Sequence, residues 1–597
     1  MMPDDVRSMP EERLPALAES VRGQILQTVS SNGGHLAASL GAVELSIALL
    51  RVFSPPEDKV LWDVGHQAYA WKILTGRGES FGSLRKLRGI SGFSNPSESP
   101  FDAFIAGHAG SALAAATGMA AARDRIGGGH VVAIIGDASL TNGESLEALN
   151  NCVSLTDRLI VVVNDNAMSI SKNVGGVARM LGRILSDVRY NRVKAAAERM
   201  GHRMNLTFLR SIYHHIEQVV KSFWLKNSLF ETLGLRYIGP VDGHDLKSMT
   251  SALKVAKEDK RPVILHVVTT KGKGFAPAER DPTAWHGVGP FDIGTALAGG
   301  SSAAQESRKT WSDVFGEALM EAARKDDRVC AVVAAMKDGT GLSEFAKEFP
   351  GRIFDVGICE EMAVTFAAGL AKSGMKPVVA MYSTFLQRAI DQIQHDVCLQ
   401  KLPVVFAVDR AGCVGADGCT HHGMYDIPLL KPLAGMAVVA PTSAEDLKDS
   451  LHSALSAGSP VAIRYPRGVA PLREDVETAA GRPSPDSCGR CAVRMFAVGD
   501  QVQKAVKVRD LLAAEGVAAA VEPVSAVKPA PVPAGDGSLM VSLENGAVCG
   551  GFGESIGSDL KFGWPDAAVA HGTVEELERE HGFDAAAIAE AILGKLR

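Results

Sequence analysis

Two apolar runs that each end in small polar residues constrain the fold of this chain most strongly. The run Val131–Gly136 leads into Asp137, and the run Val161–Val163 leads into a polar stretch that ends at Asn166. Continuous apolar runs of this kind are typical of strands buried in a parallel sheet. Ligands of open α/β sheets bind where such strands end, so we expect Asp137 and Asn166 at two neighbouring strand ends. Their hard oxygen atoms suit a magnesium ion that holds a diphosphate.

The same polar residues also have a purely structural explanation. A Gly-Asp pair after a strand is often only a turn and the N-cap of the next helix. The pattern nevertheless resembles the thiamine diphosphate signature, in which an acidic Gly-Asp turn is followed by an Asn further along the chain. On this pattern alone both interpretations stay open.

Length and composition indicate a multidomain cytoplasmic enzyme. A chain of 597 residues is too long for one core, so we expect two or three domains. The net charge of −6 provides no basic face for nucleic acid. No apolar run approaches the roughly 20 residues that a membrane span requires. The start, Met1–Asp5, lacks the basic-then-apolar pattern of a signal peptide. We therefore expect no nucleic-acid or membrane partner.

Strands alternate with helices in three successive parts, which cover residues 1–300, 308–472 and 490–597. This alternation predicts three α/β domains with mainly parallel sheets and right-handed crossovers. Residues 171–230 are basic and lack strand signals, so they are predicted to form helices or a mobile excursion over a site.

Several elements of the later parts are predicted individually. Thr310 is placed as the cap of a helix that opens the second part, and the third part ends in a helix over 584–596. The strand candidates of the second part are short, mostly Val-rich and bounded by turns: Val329–Val333, Ile353–Val356, Pro377–Met381, Pro403–Val408 and Ala437–Ala440.

A set of motifs in one order covers nearly the whole chain. They are Gly34–Gly41, Trp62–Tyr69, Gly107–Ser111, the Asp137/Asn166 pair, Tyr237–Asp245, Thr270–Gly274, Tyr382–Arg388, Asp409–Gly412, Gly415–His421 and Arg464–Gly468. Together they resemble the 1-deoxy-D-xylulose-5-phosphate synthase family, a transketolase-related family of thiamine diphosphate enzymes. The resemblance implies that pyruvate and D-glyceraldehyde 3-phosphate give 1-deoxy-D-xylulose 5-phosphate and carbon dioxide, a step of isoprene and thiamine biosynthesis.

The resemblance also implies an architecture. Residues 1–300 would bind the diphosphate and Mg²⁺, residues 308–472 the aminopyrimidine ring, and residues 490–597 would form a transketolase-like C-terminal domain. In the family both cofactor-binding domains of one chain build each site, and the chain forms a homodimer. The third part keeps Glu544-Asn545 but offers no obvious catalytic group, so its expected role is dimer packing.

The residues that match the family's cofactor site lie mainly in the first part of the chain. The implied metal ligands are Asp137, Asn166 and the backbone carbonyl of Met168. The other matching positions are His66, His108, Ala109, Gly110, Ser111, Ala138, Ser139, Lys271, Phe275 and Phe385. Lys271 could add positive charge near the diphosphate, and Phe385 matches the ring that packs on the aminopyrimidine. An ordinary core aromatic would look the same in sequence.

Ionisation of the cofactor's thiazolium requires a carboxylic acid beside N1′ of the aminopyrimidine. Register with the family selects Glu360, although a carboxylate that opens a helix is also favoured by the helix dipole alone. The resemblance places His35 where it would face the cofactor or the substrates, and His286 near the reacting carbons. Asp417 and His421 match polar residues near the reacting carbonyl. Which histidine moves which proton does not follow from the sequence.

The acceptor substrate carries a phosphate, so cations should converge on it. Arg388 and Arg467 match the family's phosphate-binding arginines, with Tyr382 alongside and Arg410 as a further candidate. Guanidinium groups suit phosphate oxygens better than an ammonium does. For any single arginine, a surface or interdomain salt bridge is the structural alternative.

Two departures from the family pattern stand out. Ala138 occupies a position that is usually Gly, so we expect an ordinary backbone conformation there. Glu361 and Met362 replace a usual Gln-His pair after Glu360, which removes a polar group and can add a charge near the aminopyrimidine.

Three alternative functions share parts of this pattern. Transketolase-type ketol transfer uses the same fold and cofactor, but the Asp417–His421 motif argues against it. A pyruvate dehydrogenase-type E1 component would need an acyl-carrier partner, and no docking segment is evident. A catalytically inactive thiamine diphosphate-binding paralogue would not need the intact Glu360 and metal ligands.

Overall fold

The computed structural model describes residues 1–166, 175–177, 179–180, 229–299, 308–480, 491–533 and 537–597. Met168 and nearly all of the predicted excursion at 171–230 lie outside the described residues. Contacts divide the chain into two compact units. The first contains Met1–Gly82 and Phe93–Ser302, and the second contains Ser83–Gly92 and Ala303–Arg597. Within the described parts, none of the helices has the length and apolar character needed to cross a bilayer.

The first unit contains a parallel sheet of apolar strands. Its strands are β1 Lys59–Trp62, β2 Val131–Gly136, β3 Ile160–Asp165, β4 Arg236–Asp242 and β5 Val263–Val268. Their order is β1-β2-β3-β5-β4, and every neighbouring pair is parallel. The described helices are α1 Pro3–Ser8, α2 Leu14–Asn32, α3 Leu36–Gly41, α4 Val43–Val52, α5 Tyr69–Lys72, α6 Ser111–Ile126, α7 Gly143–Leu155, α8 Leu229–Thr232, α9 Leu246–Glu258, α10 Ala276–Arg280 and α11 Ile293–Leu297.

The second unit contains two sheets. Strands β6 Val329–Val333, β7 Ile353–Asp355, β8 Lys376–Tyr382, β9 Val405–Asp409, β10 Ala437–Val439, β11 Val461–Arg464 and β14 Ala526–Lys528 form one sheet. Strands β12 Val493–Val498, β13 Ala519–Val524, β15 Leu539–Ala547 and β16 Leu560–Trp564 form the other, in the order β13-β12-β15-β16. All neighbouring pairs are parallel except β14 with β10.

The helices of the second unit alternate with these strands. They are α12 Trp311–Lys325, α13 Ser343–Glu348, α14 Glu360–Lys372, α15 Ser383–Leu386, α16 Ile390–Gln392, α17 Asp426–Leu430, α18 Ala444–Ala454, α19 Arg473–Ala480, α20 Val502–Ala514, α21 Phe552–Ser555, α22 Val574–Glu580 and α23 Ala585–Leu596. Helix α12 begins as predicted, since the Thr310 hydroxyl accepts the N–H of Asp313 and the Asp313 carboxylate accepts the N–H of Thr310.

The prediction of an α/β fold with mainly parallel sheets is confirmed. The five strand candidates of the second part all form, and β2 and β3 cover the apolar runs Val131–Gly136 and Val161–Val163. The boundaries of the three domains stay a prediction. Strand β14 comes from the predicted third domain but pairs with β10 of the larger sheet, so the backbone pairing of this sheet crosses the expected boundary.

A buried polar network connects the two sheets of the second unit. Arg464, at the end of β11, donates from Nε to Asp426 Oδ2 at 2.7 Å and from Nη2 to the Asn545 carbonyl at 2.7 Å. The Asn545 side chain in turn donates to Asp500 at 2.9 Å. Since Arg464 and Asp426 are 3% and 1% exposed, each charge depends on the other for its compensation.

Replacing Arg464→Met should therefore destabilise the protein by about 3–5 kcal/mol, because it leaves the Asp426 carboxylate buried without its cation. Calorimetric Tm values measure the loss. Arg473→Met, which breaks an exposed ion pair with Asp449, is the control and should change Tm little. Equal Tm changes in the two variants would contradict this account.

Candidate functional site

The first cluster of polar residues lies where β2 and β3 end. The register pairs Gly136 with Asn164, so Asp137 and Asn166 follow neighbouring strands at the same edge of the sheet. Asp137 is 3% exposed. Burial lowers the pKa of Lys271 to about 8, and the charge of Asp137 opposes that shift. These side chains combine hard oxygen atoms with a buried cation, which suits a metal-bound diphosphate.

The loop before α6 is held by a buried carboxylate. The Asp63 oxygens accept the N–H of Gly110 at 3.0 Å and the N–H of Ala112 at 3.2 Å. Gly110 has a φ of 98°, and a Cβ at this position would collide with the Asn142 side chain. The close approach and the positive φ explain why this position is Gly. Asp63 thus fixes the backbone that leads into Ser111, the first residue of α6.

The other predicted cofactor residues of the first unit occupy varied environments. Ala109 and Ser139 are buried, and His108 is half-buried. Ala138 has φ −70° and ψ −42°, which confirms the ordinary backbone expected at this departure. Phe275 is 3% exposed and packs edge-on against Trp285 at 5.2 Å, as a core aromatic does.

Three predicted histidines form one cluster in the first unit. Their ring centroids are separated by 5.8 Å for His35–His66, 5.7 Å for His35–His286 and 5.4 Å for His66–His286. Burial, with nearby Lys271 and the other two rings, holds the pKa of His286 well below its ordinary value. His286 is therefore neutral at pH 7, and within the described residues its buried Nδ1 has no hydrogen-bond partner.

A buried chain of side chains holds the turn that carries Lys271. His244 donates from Nδ1 to Glu44 at 3.1 Å, and its Nε2 accepts the N–H of Thr270 at 2.8 Å. Arg22 pairs with the other oxygen of Glu44. Since a backbone N–H can only donate, Nε2 is the unprotonated nitrogen of His244. The Lys271 turn is thereby fixed to α2 and α4.

In the second unit, Glu360 is an unusual acid. It begins α14, is 3% exposed, and its Oε2 has no hydrogen-bond partner in the described part of the chain. Arg388 Nη1 lies 3.9 Å from Oε2. Burial raises the pKa of Glu360 to about 7, with a smaller contribution from Glu361, while Arg388 opposes the rise. A buried, half-protonated carboxyl group of this kind is suited to proton exchange with a ligand.

The carboxyl ends of β8 and β9 bring together the predicted acceptor residues. The register pairs Tyr382 with Asp409, so Arg410 follows beside Tyr382. The Arg410 guanidinium lies 4.0 Å from the centroid of the Tyr382 ring, in a cation–π contact. The backbone φ of Arg410 is 57°. The Tyr382 ring stacks on Phe385 at 5.7 Å, and Phe385 lies 5.8 Å from the His421 ring. A positive φ at a non-Gly residue marks strain of the kind found at functional sites.

Asp417 joins two arginines at this cluster. Arg85 Nη2 lies 2.9 Å from Oδ1, and Arg467 Nη1 lies 4.0 Å from Oδ2. The segment Ser83–Gly92, which carries Arg85, belongs to the second unit, whereas its flanking residues belong to the first. Two of the predicted phosphate ligands belong to this cluster, since Arg467 lies near Asp417 and Arg410 contacts Tyr382. The third, Arg388, forms its described ion pair with Glu360.

Sequence reasoning missed three residues that organise these clusters. Asp63 and His244 lie inside the motifs Trp62–Tyr69 and Tyr237–Asp245, so their position in these motifs was the signal that could have identified them. Arg85 lies outside the motifs, and nothing in the local sequence shows that its segment leaves the first unit.

The polar groups described in each unit fit thiamine diphosphate and Mg²⁺, the cofactors that the family resemblance implies. Within the described residues, no three His, Cys, Asp or Glu side chains converge as a metal site. A cation near Asp137 would therefore take further ligands from amide, carbonyl or phosphate oxygens, which is the preference of Mg²⁺. In the second unit, the buried Oε2 of Glu360 is available to a ring nitrogen, and the Phe385 ring stacks on Tyr382.

The fold and these clusters define a transketolase-related α/β enzyme, and the comparisons with known proteins agree. Residues 1–269 match the family model described as 1-deoxy-D-xylulose-5-phosphate synthase, and residues 307–472 match the transketolase pyrimidine-binding domain. A 1-deoxy-D-xylulose-5-phosphate synthase from Syntrophomonas wolfei is 45% identical over 99% of this chain and 96% of its own. The synthase from Aquifex aeolicus is 43% identical over 100% and 97%.

The chain therefore belongs to the 1-deoxy-D-xylulose-5-phosphate synthase family. Among solved structures, a transketolase from Campylobacter jejuni covers 98% of this chain at 17% identity, with a TM-score of 0.43. That likeness is too low to carry any part of the assignment.

The raised pKa of Glu360 predicts that this residue lowers the stability of the folded protein at neutral pH. In the unfolded chain its carboxyl has a pKa near 4.5, and in the folded protein near 7, so folding takes up a proton. This cost to stability is small below pH 4.5 and grows until the pH passes 7. Glu360→Gln should therefore stabilise the cofactor-free protein by about 3 kcal/mol at pH 8 and by about 1 kcal/mol at pH 5.

Tm values between pH 5 and pH 8 test this prediction, with Glu361→Gln as the matched control. The control should show little pH-dependent change. A stability difference between Glu360→Gln and wild type that does not vary with pH would refute the assigned ionisation.

Proposed function

We propose that this protein is a 1-deoxy-D-xylulose-5-phosphate synthase. It decarboxylates pyruvate and joins the remaining two-carbon unit to D-glyceraldehyde 3-phosphate, which gives 1-deoxy-D-xylulose 5-phosphate and carbon dioxide. The observation that carries the proposal is the buried Glu360 carboxyl, with its raised pKa, in a chain that belongs to this family over its full length. A homodimer and a cytoplasmic location, both expected from the sequence, stay predictions.

We propose that the first unit binds the diphosphate end of thiamine diphosphate. Asp137 and Asn166 would coordinate Mg²⁺ with the carbonyl of Met168, which lies outside the described residues. Lys271 would add positive charge, and its burial beside Asp137 supports that role. When bound, thiamine diphosphate supplies the electron sink that decarboxylation of a 2-oxo acid requires.

In the second unit, Glu360 would hold a proton at the ring nitrogen N1′ of the aminopyrimidine. Its pKa of about 7 supports this role, because a carboxyl near neutrality can both give and take the proton. Arg388 would tune this acid through their ion pair. Its match to a phosphate-binding arginine stays a prediction. The Phe385 ring would pack against the aminopyrimidine.

We assign the acceptor phosphate to Arg410 and Arg467. Their position beside Tyr382 and Asp417 supports this assignment, since it gathers positive charge at one edge of the sheet. Asp417, held by Arg85, would orient an acceptor hydroxyl, and His421 would donate a proton as the aldehyde becomes an alkoxide.

The clustered histidines of the first unit would serve the cofactor and the reacting carbons. His286 is neutral at pH 7 and has a buried nitrogen for which no hydrogen bond is described, which supports a role in orienting or moving a proton. His35 and His66 lie in ring contact with it.

Decarboxylation measured with and without the acceptor tests the function directly. Purified protein with Mg²⁺, thiamine diphosphate and pyruvate should release carbon dioxide faster when D-glyceraldehyde 3-phosphate is added, and 1-deoxy-D-xylulose 5-phosphate should accumulate. Glu360→Ala should reduce the rate by about 100-fold or more. The neighbouring Glu361→Ala should stay within a few-fold of wild type.

The alternatives predict different outcomes. Ketol transfer from a sugar phosphate without carbon dioxide release would indicate transketolase activity. Tight cofactor binding without turnover would indicate an inactive paralogue. Either result would exclude the proposed reaction.

The assignment of Arg467 to the acceptor phosphate predicts that its replacement changes the KM for the acceptor selectively. Arg467→Met should raise the KM for D-glyceraldehyde 3-phosphate by about 10-fold or more, because it removes a charged hydrogen bond, and should leave the KM for pyruvate nearly unchanged. Steady-state kinetics with each substrate varied in turn measure both values. Arg328→Met, at an exposed ion pair with Asp326, is the control. An equal rise in both KM values would count against the assignment.

A further inference from the structure

The turn that carries Asp417 and His421 is a closed loop. Gly412 and Gly423 exchange backbone hydrogen bonds of 2.7 Å in both directions, so the residues between them form one structural unit. Inside it, the N–H of His421 donates to the carbonyl of Gly418 at 2.9 Å. We call residues 412–423 the acceptor loop.

Strand β15 fixes the base of the acceptor loop. Asn545 Oδ1 accepts the N–H of Cys413 at 3.1 Å and the indole N–H of Trp564 at 2.9 Å. Gly412 has a φ of 87°, and a Cβ there would collide with the Asn545 side chain. The predicted third domain therefore contacts the loop at its start.

His422 forms a second connection through a defined tautomer. Its Nδ1 accepts the N–H of Val414 at 3.2 Å, and its Nε2 lies 3.0 Å from the carbonyl oxygen of Ala570. Because a backbone N–H can only donate, Nδ1 is unprotonated and Nε2 carries the hydrogen that Ala570 accepts. His422 is 3% exposed, and burial lowers its pKa, in keeping with this neutral form.

His571, the residue after Ala570, lies against the neighbour of Asp417 in the acceptor loop and against the segment that carries Arg85. A Cβ on Gly418, the residue after Asp417, would lie 3.1 Å from the Cβ of His571. The ring Nε2 of the same His571 lies 3.1 Å from the carbonyl oxygen of Gly89, in the segment that carries Arg85. One short segment thus packs on the acceptor loop and binds the segment opposite it.

We propose that His422, anchored on the carbonyl of Ala570, is a positioning residue that holds Asp417 and His421 for the acceptor half of the reaction. This inference rests on the proposed function. It gives the C-terminal part of the chain a role beyond the dimer packing expected from sequence. His422 itself touches backbone groups on both sides, so it acts through the loop rather than on the substrate.

Three variants test the proposal in the full-length enzyme with Mg²⁺ and thiamine diphosphate. His422→Leu removes both hydrogen bonds, and His422→Gln can restore an acceptor for Val414 and a donor for Ala570. His571→Ala removes the described hydrogen bond with Gly89. His452→Leu, on α18, is the matched control because its described hydrogen bond is to Lys448 of the same helix.

We expect His422→Leu to change the kinetic constants for D-glyceraldehyde 3-phosphate much more than those for pyruvate. His422→Leu should lower kcat/KM for D-glyceraldehyde 3-phosphate by about 10-fold or more, with the KM for pyruvate and the acceptor-independent release of carbon dioxide within about 3-fold of wild type. His422→Gln should recover most of the loss, and His571→Ala should show the same split more weakly. His452→Leu should behave as wild type.

Two results would overturn the proposal. One is acceptor kinetics within twofold of wild type in both His422→Leu and His571→Ala. The other is an equal fall in both half-reactions in folded variants, without recovery in His422→Gln. Since wild type is measured alongside, an absence of acceptor-dependent product in wild type would instead identify failure of the proposed function.

Discussion

The register of the parallel strands is the constraint on which the rest of this structure depends. Because carboxyl ends of parallel strands meet at one edge, residues far apart in sequence become neighbours there. The pairing of Gly136 with Asn164 brings Asp137 near Asn166, and the pairing of Tyr382 with Asp409 brings Arg410 over the Tyr382 ring. A slip of one residue would turn these side chains to the opposite faces of the sheets.

Burial shifts the pKa values of the ionisable groups of the site. It moves the pKa values of Lys271 and Glu360 to about 8 and about 7, and it keeps His286 neutral. Each group is held closer to its uncharged form than it would be in water. The same burial costs folding free energy, and a buried pair such as Arg464 with Asp426 compensates only its own two charges.

The strands and the start of α12 followed from the sequence because their signals are local, whereas the roles of the site residues stay predictions. Val-rich runs predicted the strands, Thr310 predicted the start of α12, and the Ala138 backbone is ordinary as expected. What could not be predicted depends on long-range geometry. Arg85 pairs with Asp417, more than 300 residues away in the sequence, and the tautomer of His422 depends on hydrogen bonds with Val414 and with the distant carbonyl of Ala570.

The central claim is that Glu360 is the acid that activates the cofactor. The rate of hydrogen–deuterium exchange at C2 of bound thiamine diphosphate, measured by acid quench and NMR, tests it without any contribution from substrates. The account predicts that Glu360→Gln slows this exchange by about 100-fold or more while the cofactor stays bound. Exchange at the wild-type rate in a variant that binds the cofactor normally would contradict it.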